Sequence, residues 1–281
     1  MNKSIFITGS TGFIGSNILE ALSENNFNII RGVRKSNLGE NEIYCDLSIP
    51  ESILEIKKKI KADIIIHFGA KIGWGLESHE DLYTPNVLGT ACVASLAKEW
   101  GAKLIFASAA LIHGVKSTKI DQNSEINLDN YYASTKWTGE QIILSSEIDY
   151  CILRIGGVFG KNGPLHLGIN KSIKNAINGI KPNLNGQGTG KRNYIYVKDL
   201  ARFVIDIIDN NYNGIHYVSS TYENTIKEML IQISQVFLSD NEINIEGNVL
   251  STDQLITPSK DLKSYYNFRE SLIEIKELSN K

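Results

Sequence analysis

The octapeptide Thr8-Gly9-Ser10-Thr11-Gly12-Phe13-Ile14-Gly15 constrains this chain more than any other stretch. It follows an apolar run at residues 4–7 that reads as a buried strand. It precedes a helix at 16–22, with Ile14, Ile18, Leu19 and Leu22 on one face. Three glycines at the spacing G-x-x-G-x-x-G therefore sit on a strand-to-helix turn. Gly9 permits a tight turn, Gly12 leaves bare backbone for phosphates, and Gly15 lets the helix pack close to the strand. The helix N-terminus adds free N–H groups and a positive dipole end. Strand, turn and helix in this order point to a dinucleotide site, with Thr11, Phe13 and Ile14 as contact positions beside the glycines.

Strand-like and helix-like segments then alternate. Strands are expected at 27–33, 43–46, 63–68, 103–107 and 151–155. Helices are expected after Ser48-x-x-Glu51, which resembles a capping box, and at 86–100 and 131–145. Small residues (Gly89, Ala91, Ala94, Ala97) line the 86–100 helix, and Gly101 ends it. This alternation predicts a doubly wound parallel sheet of Rossmann type with helices on both faces. From Gly156 the rhythm breaks. Residues 162–164 and 182–192 read as loops around a helix at 169–178. A helix starting at Asp199, a strand at 215–218 and a capping box at Thr225-x-x-Glu228 follow, and the last forty residues read as polar with scattered apolar anchors. The expected organisation is a dinucleotide-binding domain at 1–160, with 195–210 returning to it. A smaller, mixed substrate lobe at 161–281 would lie over the C-terminal edge of the sheet, where ligands bind in open α/β folds.

The end of the second strand carries Arg31, Arg34 and Lys35 and lacks the acid that often holds an adenosine ribose. These cations suit a 2′-phosphate, which favours NADP(H) over NAD(H). A solvated basic turn fits the residues equally well, and Glu40 and Glu42 look too late in the loop. A net charge of −2 provides no basic field, so nucleic acid is not an expected partner. The three cysteines, Cys45, Cys92 and Cys151, lack any metal-ligand spacing. They read as buried free thiols in a reducing cytosol, with no metal expected. No secretion signal and no apolar run approaching ~20 residues is read, so the expected location is cytoplasmic, away from membranes.

Tyr132 and Lys136 lie four apart on the 131–145 helix and so share a face. A phenol titrates near 10, and a neighbouring ammonium favours the phenolate. The pair is a general acid/base for a sugar or alcohol oxygen, although a Tyr and a Lys at this spacing are common on any helix.

Taken together, Thr8–Gly15 and Tyr132–Lys136 resemble the extended short-chain dehydrogenase/reductase family, in its sugar-nucleotide epimerase/dehydratase branch. Further stretches agree in the family's order: Asp46-Leu47, Asp63-Ile-Ile-Ile-His67-Phe68-Gly69-Ala70, Asn86-Val-Leu-Gly-Thr90, Leu153-Arg154, Val158-Phe-Gly160 and Arg192-Asn-Tyr-Ile-Tyr-Val-Lys-Asp199. The resemblance implies that Asp46 and Leu47 lie on the adenine side and that Phe68, Gly69 and Ala70 run along the cofactor. It implies that Asn86 contributes to the cofactor and substrate sites, and that Arg192 meets the diphosphate of a nucleotide sugar. Lys136 would hold the nicotinamide ribose and acidify Tyr132.

One departure matters. The family places a Ser or Thr four residues before a Tyr-Gly, where its hydroxyl bonds the reacting oxygen. Aligned on Gly114, that position is Ala109 here, with Ser108 one residue early. A one-residue step on an extended segment points the other way. Ser108 is kept as a catalytic candidate only through a bulge. His113 stands where the family often has Tyr and reads as a packing or substrate-edge residue. Ser108-Ala109-Ala110 also replaces the Thr-Asp-Glu triplet of the 4,6-dehydratases. What remains is an NAD(P)-dependent oxidoreductase on a nucleotide-activated sugar. The cations favour reduction of a 4-keto-(6-deoxy)hexose, in deoxysugar or surface-polysaccharide synthesis. The alternatives are a 4-epimerase with bound NAD and, from another class, a non-catalytic dinucleotide-binding regulator. The resemblance implies a homodimer. Specificity would reside in loops such as 71–81 and 165–170.

Overall fold

The computed structural model describes residues 3–73 and 79–280; positions 74–78 of the 71–81 loop lie outside them. The sheet grows outward from the strand before the glycine turn. Strand β1 (Ser4–Thr8) is flanked by β2 (Asn28–Val33) and β4 (Ile64–His67). Strand β3 (Glu42–Tyr44) pairs with β2, and β5 (Lys103–Ala109) pairs with β4. All four of these pairings are parallel. With β6 (Tyr150–Ile155) and β7 (Gly214–Val218) the order is β7-β6-β5-β4-β1-β2-β3. The order reverses between β1 and β4. That is the switch point at which ligands bind in such sheets, and the glycine turn leaves β1 there.

Helices α1 (Phe13–Ser23), α2 (Pro50–Leu54), α3 (His79–Tyr83), α4 (Gly89–Trp100) and α5 (Tyr131–Ser145) join the strands. Because both faces of a parallel sheet are covered, its strands read as apolar runs. Phe6, Ile65, Leu104, Phe106 and Ile152 from the sheet pack with Val93, Leu96, Trp100 and Ile143 from α4 and α5. Phe6 meets Trp100 edge to face at 6.1 Å. Gly101 ends α4 with φ 64°, the left-handed cap expected of it. Cys45 and Cys151 are buried free thiols, and burial pushes both up to about 12.

Three local expectations are corrected. Ser48 does not cap α2: Ile49 is its N-cap and Pro50 its first residue, and the helix passes into a 3₁₀ turn at Glu55–Lys58. The helix expected from residue 86 starts as a π-helical turn, Thr84–Leu88, and becomes α-helical at Gly89. The polar C-terminal stretch contains α9 (Phe268–Ser279), opened by a complete Asn267/Glu270 capping box. Phe268, Leu272 and Ile275 make its buried face, which the surrounding Glu and Lys residues obscure in the sequence.

Contacts divide the chain into two compact units, residues 1–115, 125–154 and 204–216, and residues 116–124, 155–203 and 217–281. The return to the first unit therefore starts at 204 rather than 195. The 116–124 segment leaves it because Lys119–Ile120 pairs with Leu255–Ile256. In the second unit, helices α6 (Gly168–Ile177) and α8 (Ile226–Leu238) pack together, α9 packs on α8, and the Thr225/Glu228 capping box is complete. Helix α7 (Val197–Asn210) crosses from the second unit into the first. Two-residue and three-residue strands pin the segments that read as loops: Lys191–Arg192 pairs with Asn224–Thr225, and Asn183–Asn185 with Asn244–Glu246.

Candidate active site

The glycine turn has a distinct role for each glycine. Gly9 has φ +75°, and a Cβ there would stand 2.5 Å from the backbone nitrogen of Gly69. A Cβ on Gly15 would stand 2.1 Å from the Gly9 carbonyl oxygen. Both positions hold the turn against its own backbone. Gly12 differs: it is exposed and extended (φ −80°, ψ 169°), and a Cβ would touch only the Gly9 oxygen, at 3.3 Å. The first N–H groups of α1 lack helical acceptors, no side chain caps the helix, and no acid occupies its first turn. Ser10 Oγ is buried with no hydrogen-bond partner among the described residues. An exposed backbone cradle, free donors and an orphan hydroxyl fit the pyrophosphate of a dinucleotide. Leu47 closes the floor, its side chain against Gly69 and its backbone against Gly89. Asp46 Oδ1 accepts the Ser48 N–H, which shapes that turn.

Helix α5 begins where Asn130 accepts the Ala133 N–H. Its inward face carries Lys136 and Glu140, so buried charges must find partners. Gly139 lets Phe106 approach, and Lys136 Nζ lies 4.3 Å above that ring. Glu140 receives two donors of Arg154, with Nη2 at 2.9 Å, and the hydroxyl of Ser108. Tyr132 is half-buried one turn before Lys136. Tyr131 is 60% exposed and lies edge-on to His79.

Burial, rather than charge, governs the pair. It pushes the Tyr132 phenol up to about 12, against the expected lowering by lysine. It pulls Lys136 down to about 7, with the Glu140 carboxylate pulling the other way. A lysine near half-protonation at neutral pH is a weak source of the field that would acidify its neighbour. The folded chain by itself therefore presents a protonated phenol.

This has a consequence for stability. Between about pH 7 and the ordinary lysine value of 10.5, the unfolded chain holds a proton on Lys136 that the folded chain lacks. Stability from this group therefore rises with pH across that window and is lowest at and below pH 7. Lys136→Met should remove the penalty. Urea unfolding of the cofactor-free protein should show the variant more stable at pH 6.5, on the order of a few kcal/mol, with the gain shrinking towards pH 10. A gain of equal size at both ends of the range would refute the assignment.

Several expected site residues are spoken for. Ser108 donates inward to Glu140 and Ala109 lies on the other face, so no bulge rescues Ser108 as a catalytic hydroxyl. Arg31 is bound to Glu42 at 2.6 Å, and Lys35 to the same carboxylate at 2.7 Å. Glu42 looks too late in the loop from the sequence, yet the β2–β3 register sets it directly beside Arg31. Lys35 and the Gly39 N–H hold its carboxyl below the usual range. Arg34 is exposed and forms no ion pair among the described residues. His113 is buried and faces the Glu125 carbonyl. Asn86 is also buried. Its amide is committed to both backbone groups of Lys71 and to Thr135, which ties the start of α4 to α5. In the second unit, Arg192 Nη1 donates to the carbonyls of Lys191 and Thr252 and lines a hollow with Tyr194, Tyr196, Phe159 and Tyr222.

The family described as NAD dependent epimerase/dehydratase matches residues 5–219. The chain belongs to this family. UDP-glucose 4-epimerase 2 of Arabidopsis thaliana is 28% identical over 245 residues, covering 72% of this chain and 70% of that protein. Among solved structures, the Bordetella bronchiseptica enzyme WbmH in complex with NAD+ superposes with TM-score 0.83 at 21% identity, covering 100% and 99% of the two chains. The dTDP-4-dehydrorhamnose reductase of Yersinia enterocolitica superposes with TM-score 0.79 at 21% identity, covering 98% and 99%. A 4-epimerase and a reductase thus both stand among the proteins this chain is similar to, and the likeness does not separate them. Among the described residues no helix is long and apolar enough to cross a membrane, and no cluster of metal-ligating side chains occurs.

Sequence reasoning missed Glu140 and set Glu42 aside. Glu140 follows Lys136 by four, the same-face spacing that had already linked Tyr132 to Lys136, so the signal was present. Glu42 had none, since its partner choice depends on strand register.

Proposed function

We propose that this member of the epimerase/dehydratase family moves a hydride between a nucleotide-activated hexose and a bound NAD, inverting the sugar at C4. The observation that carries this reading is Glu42. It pairs with both Arg31 and Lys35, two of the three cations that suited a 2′-phosphate, cancelling one of their two charges and occupying donors such a phosphate would need, and so favours NAD. A 4-epimerase regenerates its NAD in each turnover, whereas a reductase draws on a soluble reduced pool. The relative named above points the same way.

The glycine turn and the α1 N-terminus would hold the pyrophosphate, and Lys136 the nicotinamide ribose. When bound, an oxidised nicotinamide supplies a hydride acceptor and a positive charge that favours the phenolate. Tyr132 takes the C4 hydroxyl proton as the ketone forms and returns it once the ketone has presented its other face. Ala109 supplies no second hydroxyl, so Tyr132 is the sole hydroxylic partner this motif offers the reacting oxygen.

Reduction of a 4-keto sugar is the second reading, favoured by the unpaired Arg34. A non-catalytic regulator is disfavoured, because the folded chain retains Lys136 buried at a cost a relic would have little reason to bear. Titration calorimetry decides the cofactor. Wild type should bind NAD at least as tightly as NADP, and Glu42→Gln, by freeing Arg31 and Lys35, should shift preference towards NADP by about ten- to a hundredfold. A wild type that prefers NADP, or a Glu42→Gln variant with unchanged preference, would refute the NAD reading and restore the reductase.

A further inference from the structure

A buried chain of side chains joins the glycine turn to the start of α5. His67, at the end of β4, is fully buried. Its Nδ1 lies 2.7 Å from Thr8 Oγ1 and its Nε2 3.1 Å from Thr90 Oγ1. The direction of each bond follows from counting protons. Thr90 Oγ1 donates to the Asn86 carbonyl at 2.6 Å, so its one proton is spent and it must accept from Nε2–H. Thr8 Oγ1 accepts the Gly69 N–H at 3.3 Å, and its own proton has His67 Nδ1 as the acceptor. The opposite tautomer would give Thr90 two acceptors for one proton. An imidazolium would leave the Thr8 proton without an acceptor, and an unpaired buried donor is costly.

The chain continues past Asn86. The π-helical turn Thr84–Leu88 widens the backbone there, a feature common at functional sites. The Asn86 amide donates to Thr135 Oγ1 at 3.1 Å, which in turn donates to the Tyr132 carbonyl at 2.8 Å. Two hydrogen-bonded runs therefore meet at Asn86, one from Thr8 ending on its backbone carbonyl and one from its side-chain amide to the backbone of Tyr132.

We infer that His67, held as the neutral Nε2–H tautomer, is a positioning residue that sets the glycine turn and the Tyr132 end of α5 in one register. It touches neither substrate nor reacting atoms. One arm, through Thr8, holds Gly69 against Gly9; the other, through Thr90 and Asn86, holds α5. The functional consequence rests on the role proposed for Tyr132, but the arms themselves can be measured without turnover.

The experiment has two parts. Nitrogen-15 spectra of wild-type protein should show His67 with a protonated Nε2 and an unprotonated Nδ1, unchanged down to pH 5. A charged ring or the Nδ1–H tautomer would overturn the inference. Thr8→Val and Thr90→Val then cut one arm each, with nearly the same side-chain volume. Thr8→Val should weaken NAD binding by about tenfold and leave amide exchange at residues 131–136 unchanged. Thr90→Val should accelerate that exchange by about tenfold and leave NAD affinity within about twofold. His67→Asn keeps an acceptor for Thr8 and should follow Thr90→Val. His67→Gln keeps a donor for Thr90 and should follow Thr8→Val. Equal effects of both cuts on both readouts would overturn the two-arm assignment. Absence of turnover with any nucleotide hexose would refute the proposed reaction and leave these readouts standing.

Discussion

Replacing Tyr132 with Phe should abolish turnover of a nucleotide-linked hexose while leaving dinucleotide affinity within a few-fold of wild type. General acid–base catalysis is worth about 10²–10⁴-fold, and the loss should be at least of that order. The effect should sit at or above this range because no second hydroxyl stands by: Ser108 is turned to Glu140, and Ala109 occupies the usual position. The phenyl ring preserves packing, so circular dichroism and the melting temperature should scarcely change. Tyr131→Phe is the matched control. Tyr131 is mostly exposed, against His79, and its loss should cost little. Single-turnover absorbance of the reduced nicotinamide, with each variant saturated in cofactor, reads the step directly. A dead Tyr131→Phe beside an active Tyr132→Phe would place the motif one residue out of register. Ala109→Ser should be tolerated, since Ala109 is half-buried and one hydroxyl adds little volume.

The second large effect separates two glycines that look alike in sequence. Gly12→Val should fold and lose dinucleotide binding, by more than about a hundredfold, because the side chain would occupy the path of the pyrophosphate. The backbone there is extended, which suits a β-branched residue, and the single contact at 3.3 Å needs only a small adjustment. Gly15→Ala should do the reverse. Its Cβ would stand 2.1 Å from the Gly9 carbonyl, which no side-chain movement relieves. The turn must open, and the melting temperature should fall sharply even without ligand. Calorimetric NAD titration together with thermal unfolding of both variants tests the pair. NAD affinity unchanged in Gly12→Val would remove the glycine turn from the cofactor site.

The sequence by itself determined what depends on local spacing. The glycine turn, the apolar strand runs, the doubly wound sheet, the 131–145 helix and the Tyr132–Lys136 pair all repeat at periods set by backbone geometry, and they are legible without knowing which residues meet. It also placed Ala109 and Ser108 on opposite faces from strand alternation alone. Only the tertiary structure decided the partners. Arg31 and Lys35 looked like a phosphate site until the β2–β3 register brought Glu42 between them. The partners of Asn86 and His113 inside the protein, Lys71, Thr135 and Glu125, likewise depend on contacts distant in sequence. Helix α9 was hidden because its charged residues lower its average apolar content, although Phe268, Leu272 and Ile275 recur at helical spacing on the face it buries. The phenol's acidity is set by desolvation, a property of everything packed around the pair, whereas the sequence displays only the neighbouring charge. Long-range pairing and burial bring together residues tens of positions apart, and no local pattern records which of them a given side chain will find.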